Sequence, residues 1–80
     1  MYAICFTKEG TTLTFWLNRY SWGGFIWSLV RSSALVERQK EDGQYWNQPP
    51  LRFDTVKEGQ EFIQSQLAGN PEARVAQVVD

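Results

Sequence analysis

Eighty residues with one cysteine, no histidine and a formal net charge of −1 make one domain at most, spanning 1–80. No disulfide can close within the chain, the commonest ligand for zinc, copper or nickel is absent, and a Ser-His-Asp or Cys-His catalytic set cannot be assembled. The balance of 8 basic and 9 acidic residues is neither the basic excess that holds a protein to nucleic acid by charge nor the acidic excess of a nucleic-acid mimic.

The chain opens on Met1-Tyr2-Ala3-Ile4-Cys5-Phe6, without the basic start or cleavage site of a signal peptide. Met1 to Thr7 alternates, with Tyr2, Ile4 and Phe6 on one side and Ala3, Cys5 and Thr7 on the other, which predicts a first strand. Lys8-Glu9-Gly10 reads as the turn, since glycine accepts the positive φ that turns use. Thr12 to Tyr20 alternates again: Leu13, Phe15 and Leu17 share one face, and Thr14, Trp16, Asn18 and Tyr20 the other. β-branched and aromatic residues dominate, so this is a second strand, antiparallel to the first. The apolar stretch from Leu13 to Val30 is interrupted by Asn18, Arg19, Ser21 and two glycines, which excludes an ordinary membrane span. One unpaired cysteine and no export signal point to the cytosol.

Trp22-Gly23-Gly24 breaks the run. Phe25 to Val30 is apolar but too short for periodicity to decide its type; a third strand there, followed by a hairpin at Asp42-Gly43 with Gln44-Tyr45-Trp46 returning, is the favoured reading. A helix across 33–41, which is rich in helix formers, is the alternative. Pro49-Pro50 stops whatever precedes it.

Thr55-Val56-Lys57-Glu58 has the form of a capping box. Val56, Gly59, Phe62, Ile63 and Leu67 follow on one helical stripe, and Gly69-Asn70-Pro71 supplies a cap glycine and then a stop. The spacing predicts a helix over 56–68, with Val56, Phe62, Ile63 and Leu67 packed against Phe15, Leu17 and Val75. Gly59 on that stripe implies close approach of helix to sheet. Ala73 to Val79 reads as a last strand, and its apolar residues on both faces imply an interior position. The fold expected is therefore α+β: a small antiparallel-rich sheet of three to five strands covered on one face by the 56–68 helix.

Leu51-Arg52-Phe53-Asp54-Thr55 through Phe62-Ile63, followed by Ala73-Arg74-Val75-Ala76-Gln77-Val78-Val79, resembles a pattern of short orphan β-β-α-β proteins of phages and mobile elements. In that pattern a strand ends in Arg-Phe, a Ser/Thr cap and a helix follow, and a Val-rich strand closes the fold. The resemblance covers 51–79, with Gly59 in place of the usual Ala and 36–50 standing as an insertion. It implies an accessory or inhibitor protein, anti-CRISPR-like in kind, and assigns no site.

Cys5, mid-strand in an alternating pattern, reads as a small buried hydrophobe rather than a reactive thiol. The carboxylates fall in turns, at caps and on the polar face of the helix, where they solvate the surface and complement the helix dipole. No catalytic, cofactor or metal site is expected. The anomaly is the aromatic excess of 4 Trp, 3 Tyr and 5 Phe, more than one helix can cover. The face of the second strand opposite the helix, with the segment after it, is therefore the expected protein-binding surface: Trp16, Asn18, Arg19, Tyr20, Trp22, Trp27, Arg31 and Trp46, residue types enriched at hot spots. The competing reading is that 25–48 folds over that face as a second core. A protein partner or a homodimer fits this surface. Single-stranded nucleic acid on sheet aromatics and a carbohydrate or small ligand on Trp faces are the alternatives.

Overall fold

The computed structural model describes residues 1–19, 24–29 and 51–78. The first two strands form as the alternation predicts, β1 over Tyr2–Thr7 and β2 over Thr14–Arg19, antiparallel with Phe6 opposite Phe15. Between them Gly10 takes φ +76°, and the Lys8 N–H donates to the Leu13 carbonyl at 2.9 Å. The Leu13 N–H in turn donates to the Thr11 hydroxyl at 3.2 Å. Leu13 thus closes the loop instead of extending the strand, so β2 starts at Thr14 and Leu13 is exposed, off the stripe expected to hold it.

The third strand, β3, is Phe25–Ser28, antiparallel to β2 and shorter than the expected Phe25–Val30, because the chain bends at Leu29. The hairpin at Asp42-Gly43, the alternative helix at 33–41 and the cover that 30–48 would give the second face lie outside the described residues. The helix α1 is Val56–Gln66, and the last strand, β4, is Arg74–Gln77. The sheet order is β3-β2-β1-β4, which confirms the small α+β fold. It also corrects one expectation: among the described residues β4 ends the sheet rather than lying inside it. Its apolar residues face both ways for another reason. Val75 lies under α1, whereas Ala76 and Val78 belong to the opposite side, where Val78 is buried.

The capping box forms with a shift. The Glu58 N–H donates to the Thr55 hydroxyl at 3.2 Å, but the Glu58 carboxylate accepts from the Asp54 N–H at 3.4 Å, one residue upstream of its expected partner. At the other end the helix closes on Leu67, whose N–H donates to the Ile63 carbonyl. Gly69 does not take a positive φ, so the expected glycine cap is replaced by a tight turn in which the Asn70 N–H donates to the Leu67 carbonyl at 2.8 Å.

The core is small. Ile4, Leu17 and Leu51 are buried at its centre, with Phe62, Ile63 and Leu67 packed on them from the helix. The predicted stripe holds at those three positions and at Gly59, where an added Cβ would stand 2.8 Å from Cγ2 of Val75. It fails at Val56, which is 41% exposed: the first turn of α1 lies beside β4, at the sheet's end, and finds nothing beyond it among the described residues. The segment before the helix is anchored by one bridge. Tyr2 and Phe53 exchange N–H···O bonds of 2.9 Å in each direction. The strand expected to end in Arg-Phe is this single-residue bridge. Among the described residues no helix is long and apolar enough to cross a membrane.

Candidate interaction surface

Residues opposite one another across antiparallel strands share a face, so the register sorts every side chain of the sheet. Ile4 and Val75, Phe6 and Phe15, Leu17 and Trp27, Arg19 and Phe25 lie on the helix side. Ala3 and Ala76, Cys5 and Trp16, Trp16 and Ser28, Asn18 and Ile26 lie on the other.

This divides the expected binding surface. Trp27 does not join Trp16: it stands on the helix side, edge-on to Phe6 with ring centroids 4.7 Å apart, packed against the core. The cause is the register, which sets Leu17 opposite Trp27 and so carries the indole to the core face. Arg19 is exposed on that same side, opposite Phe25. Trp16 and Asn18 do share the face away from the helix, with Trp16 half-buried. Asn18, however, is 0% exposed and offers a partner nothing. Tyr20, Trp22, Arg31 and Trp46 lie outside the described residues.

Asn18 is instead a buried strut. Its amide Nδ2 donates to the Trp16 carbonyl at 3.1 Å and to the Ser28 hydroxyl at 2.8 Å, tying β2 to β3. A carbonyl only accepts, so the Trp16 contact fixes which way the amide points. That leaves Asn18 Oδ1 buried with no hydrogen-bond partner among the described residues, at a cost of about 1–3 kcal/mol. On the same face Cys5 is buried, as the alternation implied. Burial pushes its thiol pKa up, against a smaller lowering by the Arg74 charge. The Arg74 guanidinium donates to the Thr7 hydroxyl at 3.2 and 3.3 Å, and that hydroxyl also pairs with Thr14 at 3.3 Å.

The surface that remains is at the β3 end of the sheet. Leu29 is 57% exposed, Phe25 40% and Ile26 37%. Phe25 and Ile26 point to opposite faces, so the strand shows apolar surface on both, with Arg19 beside it. Phe25 keeps one ring contact inward, edge-on to Phe62 at 5.0 Å. The sequence reading missed these three because it ranked residues by Trp and Arg content. The usable signal was an apolar run without alternation directly after a hairpin: it predicts apolar side chains on both faces of whichever strand forms there, and one helix covers only one face.

Among the described residues no group of three or more Cys, Asp or Glu side chains could hold a metal ion. No family model, curated protein or solved structure matches the chain.

Proposed function

We propose that the chain is a non-enzymatic protein-binding module whose partner docks on the β3 end of the sheet, against Phe25, Ile26 and Leu29, with Arg19 as the charged orienter. The observation that carries this is the clustering of three exposed apolar side chains at one end of the sheet, where isolated ones would need no explanation. The flanking arginine supplies a directional contact to a carboxylate. In finer form the reading is that of an accessory or inhibitor protein of the phage and mobile-element kind, acting in the cytosol by occupying a partner's surface. What supports that form is the resemblance over 51–79. A stacking platform for bases or sugars is disfavoured because Trp16 and Trp27 point to opposite faces.

The test is a photo-crosslinking residue placed at Leu29, with a control at Glu9 in the β1–β2 turn, in cells that contain the natural partners. Position 29 should capture a discrete protein that position 9 does not, and Ile26→Lys should abolish the capture while the circular dichroism spectrum and melting temperature stay near the parent's. Equal capture at both positions, or capture indifferent to Ile26→Lys, would refute the reading.

A further inference from the structure

The other end of the sheet has different properties. β4 pairs with β1 through Arg74–Cys5 and Ala76–Ala3, and the Val78 N–H donates to the Met1 carbonyl at 2.9 Å. In an antiparallel ladder the hydrogen-bonded pairs alternate. Positions 74, 76 and 78 therefore point their backbone groups at β1, and Val75 and Gln77 point theirs outward. No partner for these outward groups exists among the described residues.

Sheet edges in monomeric proteins are blocked by lysine, proline, bulges or inward-pointing charge. β4 is short, four residues, which limits pairing to a few bonds, but it carries none of these. Its one charged residue, Arg74, folds its guanidinium back across the sheet to Thr7 instead of guarding the edge. Alongside runs an open groove of about 520 Å³ between the edge and α1, lined by Val56, Gln60, Ile63, Gln64 and Val75 as well as Arg74. The helix residues on this wall are uncharged, whereas Lys57, Glu58 and Glu61 fall elsewhere on α1.

We propose that β4 pairs antiparallel with β4 of a second copy of this chain, about a twofold axis at Ala76, to make one continuous eight-stranded sheet. Three observations select a second copy over a foreign strand. The two outward residues are self-complementary: with Ala76 on the axis, Val75 of each copy faces Gln77 of the other, and all four outward N–H groups and all four outward carbonyls are satisfied. The helix wall that would meet its own image, Val56, Gln60, Ile63 and Gln64, is uncharged, and the Arg74 guanidinium is turned away to Thr7, so the two helix walls approach without like-charge repulsion. Val56, the stripe residue left exposed, lies on that wall, and the second copy covers it. This interface is separate from the β3 surface, so either can fail without the other.

The experiment uses the full chain. Sedimentation equilibrium should give the parent twice the chain mass. Gln77→Pro removes an outward N–H that makes no bond among the described residues, and proline is tolerated at such an edge, so this variant should run at the chain mass with unchanged circular dichroism. Ala76→Cys in a Cys5→Ala background covers the case in which proline disturbs β4. Residues opposite at a non-hydrogen-bonded pair have Cα atoms about 4.5 Å apart, within the roughly 4.4–6.8 Å a disulfide spans. Mild oxidation should therefore crosslink Ala76→Cys to a covalent dimer, while Arg74→Cys, off the axis, stays uncrosslinked. A parent that is monomeric throughout the accessible concentration range overturns the proposal. So does a dimer that Ile26→Lys dissociates while Ala76→Cys fails to crosslink, and so does a monomeric chain that takes an extended peptide of another protein on β4.

Discussion

Gly59→Ala gives the sharpest test of how α1 sits on the sheet. In an exposed helix the substitution gains about 1 kcal/mol, because alanine restricts the unfolded chain and favours the helix. Here the new Cβ would lie 2.8 Å from Cγ2 and 3.2 Å from Cγ1 of Val75, against a comfortable carbon–carbon separation of about 3.5–4.0 Å. Both γ carbons crowd the same point, and a β-branched side chain has little rotamer freedom with which to escape. The helix must retreat by several tenths of an ångström, loosening Phe62 and Ile63 over the core. Overpacking of this kind costs about 1–3 kcal/mol, so the net should be a loss of about 1 kcal/mol, or a drop of roughly 4–8 °C in melting temperature for a domain of this size. Val75→Ala removes both γ carbons and leaves the Val75 Cβ at 3.6 Å from the new methyl. In that background Gly59→Ala should stabilise by about 1 kcal/mol, giving a coupling of about 2 kcal/mol in a double-mutant cycle followed by equilibrium urea denaturation. If Gly59→Ala stabilises the parent, or if the coupling is near zero, the close approach of α1 to β4 is wrong.

Phe62→Ala should cost about 3 kcal/mol, near the lower end for such truncations because the ring is only half-buried; it contacts Phe25 and Phe53, and a variant melting within a degree or two of the parent would contradict the core assignment. Thr55→Ala should lose about 1 kcal/mol with the Glu58 N–H contact, read as a fall in urea midpoint at constant slope. Cys5 should react slowly with a thiol reagent in the native protein and quickly after denaturation; fast stoichiometric labelling of the native chain would overturn the buried assignment. Its raised pKa also has a signed consequence. Protonated Cys5 contributes stability that is fully present below the ordinary value of 9.0 and is lost as pH rises from there through the folded value, so the parent should lose more stability than Cys5→Ala on the alkaline side, and parallel pH profiles would refute it.

Local pattern reads well where one constraint acts alone. The alternation Tyr2–Ile4–Phe6 and Phe15–Leu17 sets which side chains share the helix face, and both strands and their pairing follow from it; it does not say that Ala3, Cys5 and Asn18 on the other face are buried as well. Thr55 and Glu58 need only each other and the chain beside them, and the helix starts where they say. The failures have a common origin in neighbours that local spacing does not contain. Leu13 fits a strand by alternation, yet the Thr11 hydroxyl captures its N–H. Val56 fits the stripe, but whether a stripe position is covered depends on how far the sheet extends beneath it, and β4 is its last strand among the described residues. Trp27 follows the break at Gly23-Gly24, across which alternation carries no side, and its side is set by pairing with Leu17 on β2. Asn18 looked like a polar surface residue because alternation assigns a face and not a cover.

The central position of β1 has a consequence for how the chain is made. Its β2 partner follows after a short turn and can pair within microseconds, but its other edge stays open until Arg74–Gln77 arrive, and the Met1–Val78 contact closes a loop that contains all the other described strands and the helix. A nascent chain therefore holds its most buried strand half-paired until Arg74–Gln77 have been made. The slow step is that long closure, and a growing polypeptide stalled before β4 should be a better substrate for chaperones and proteases than one stalled a dozen residues later.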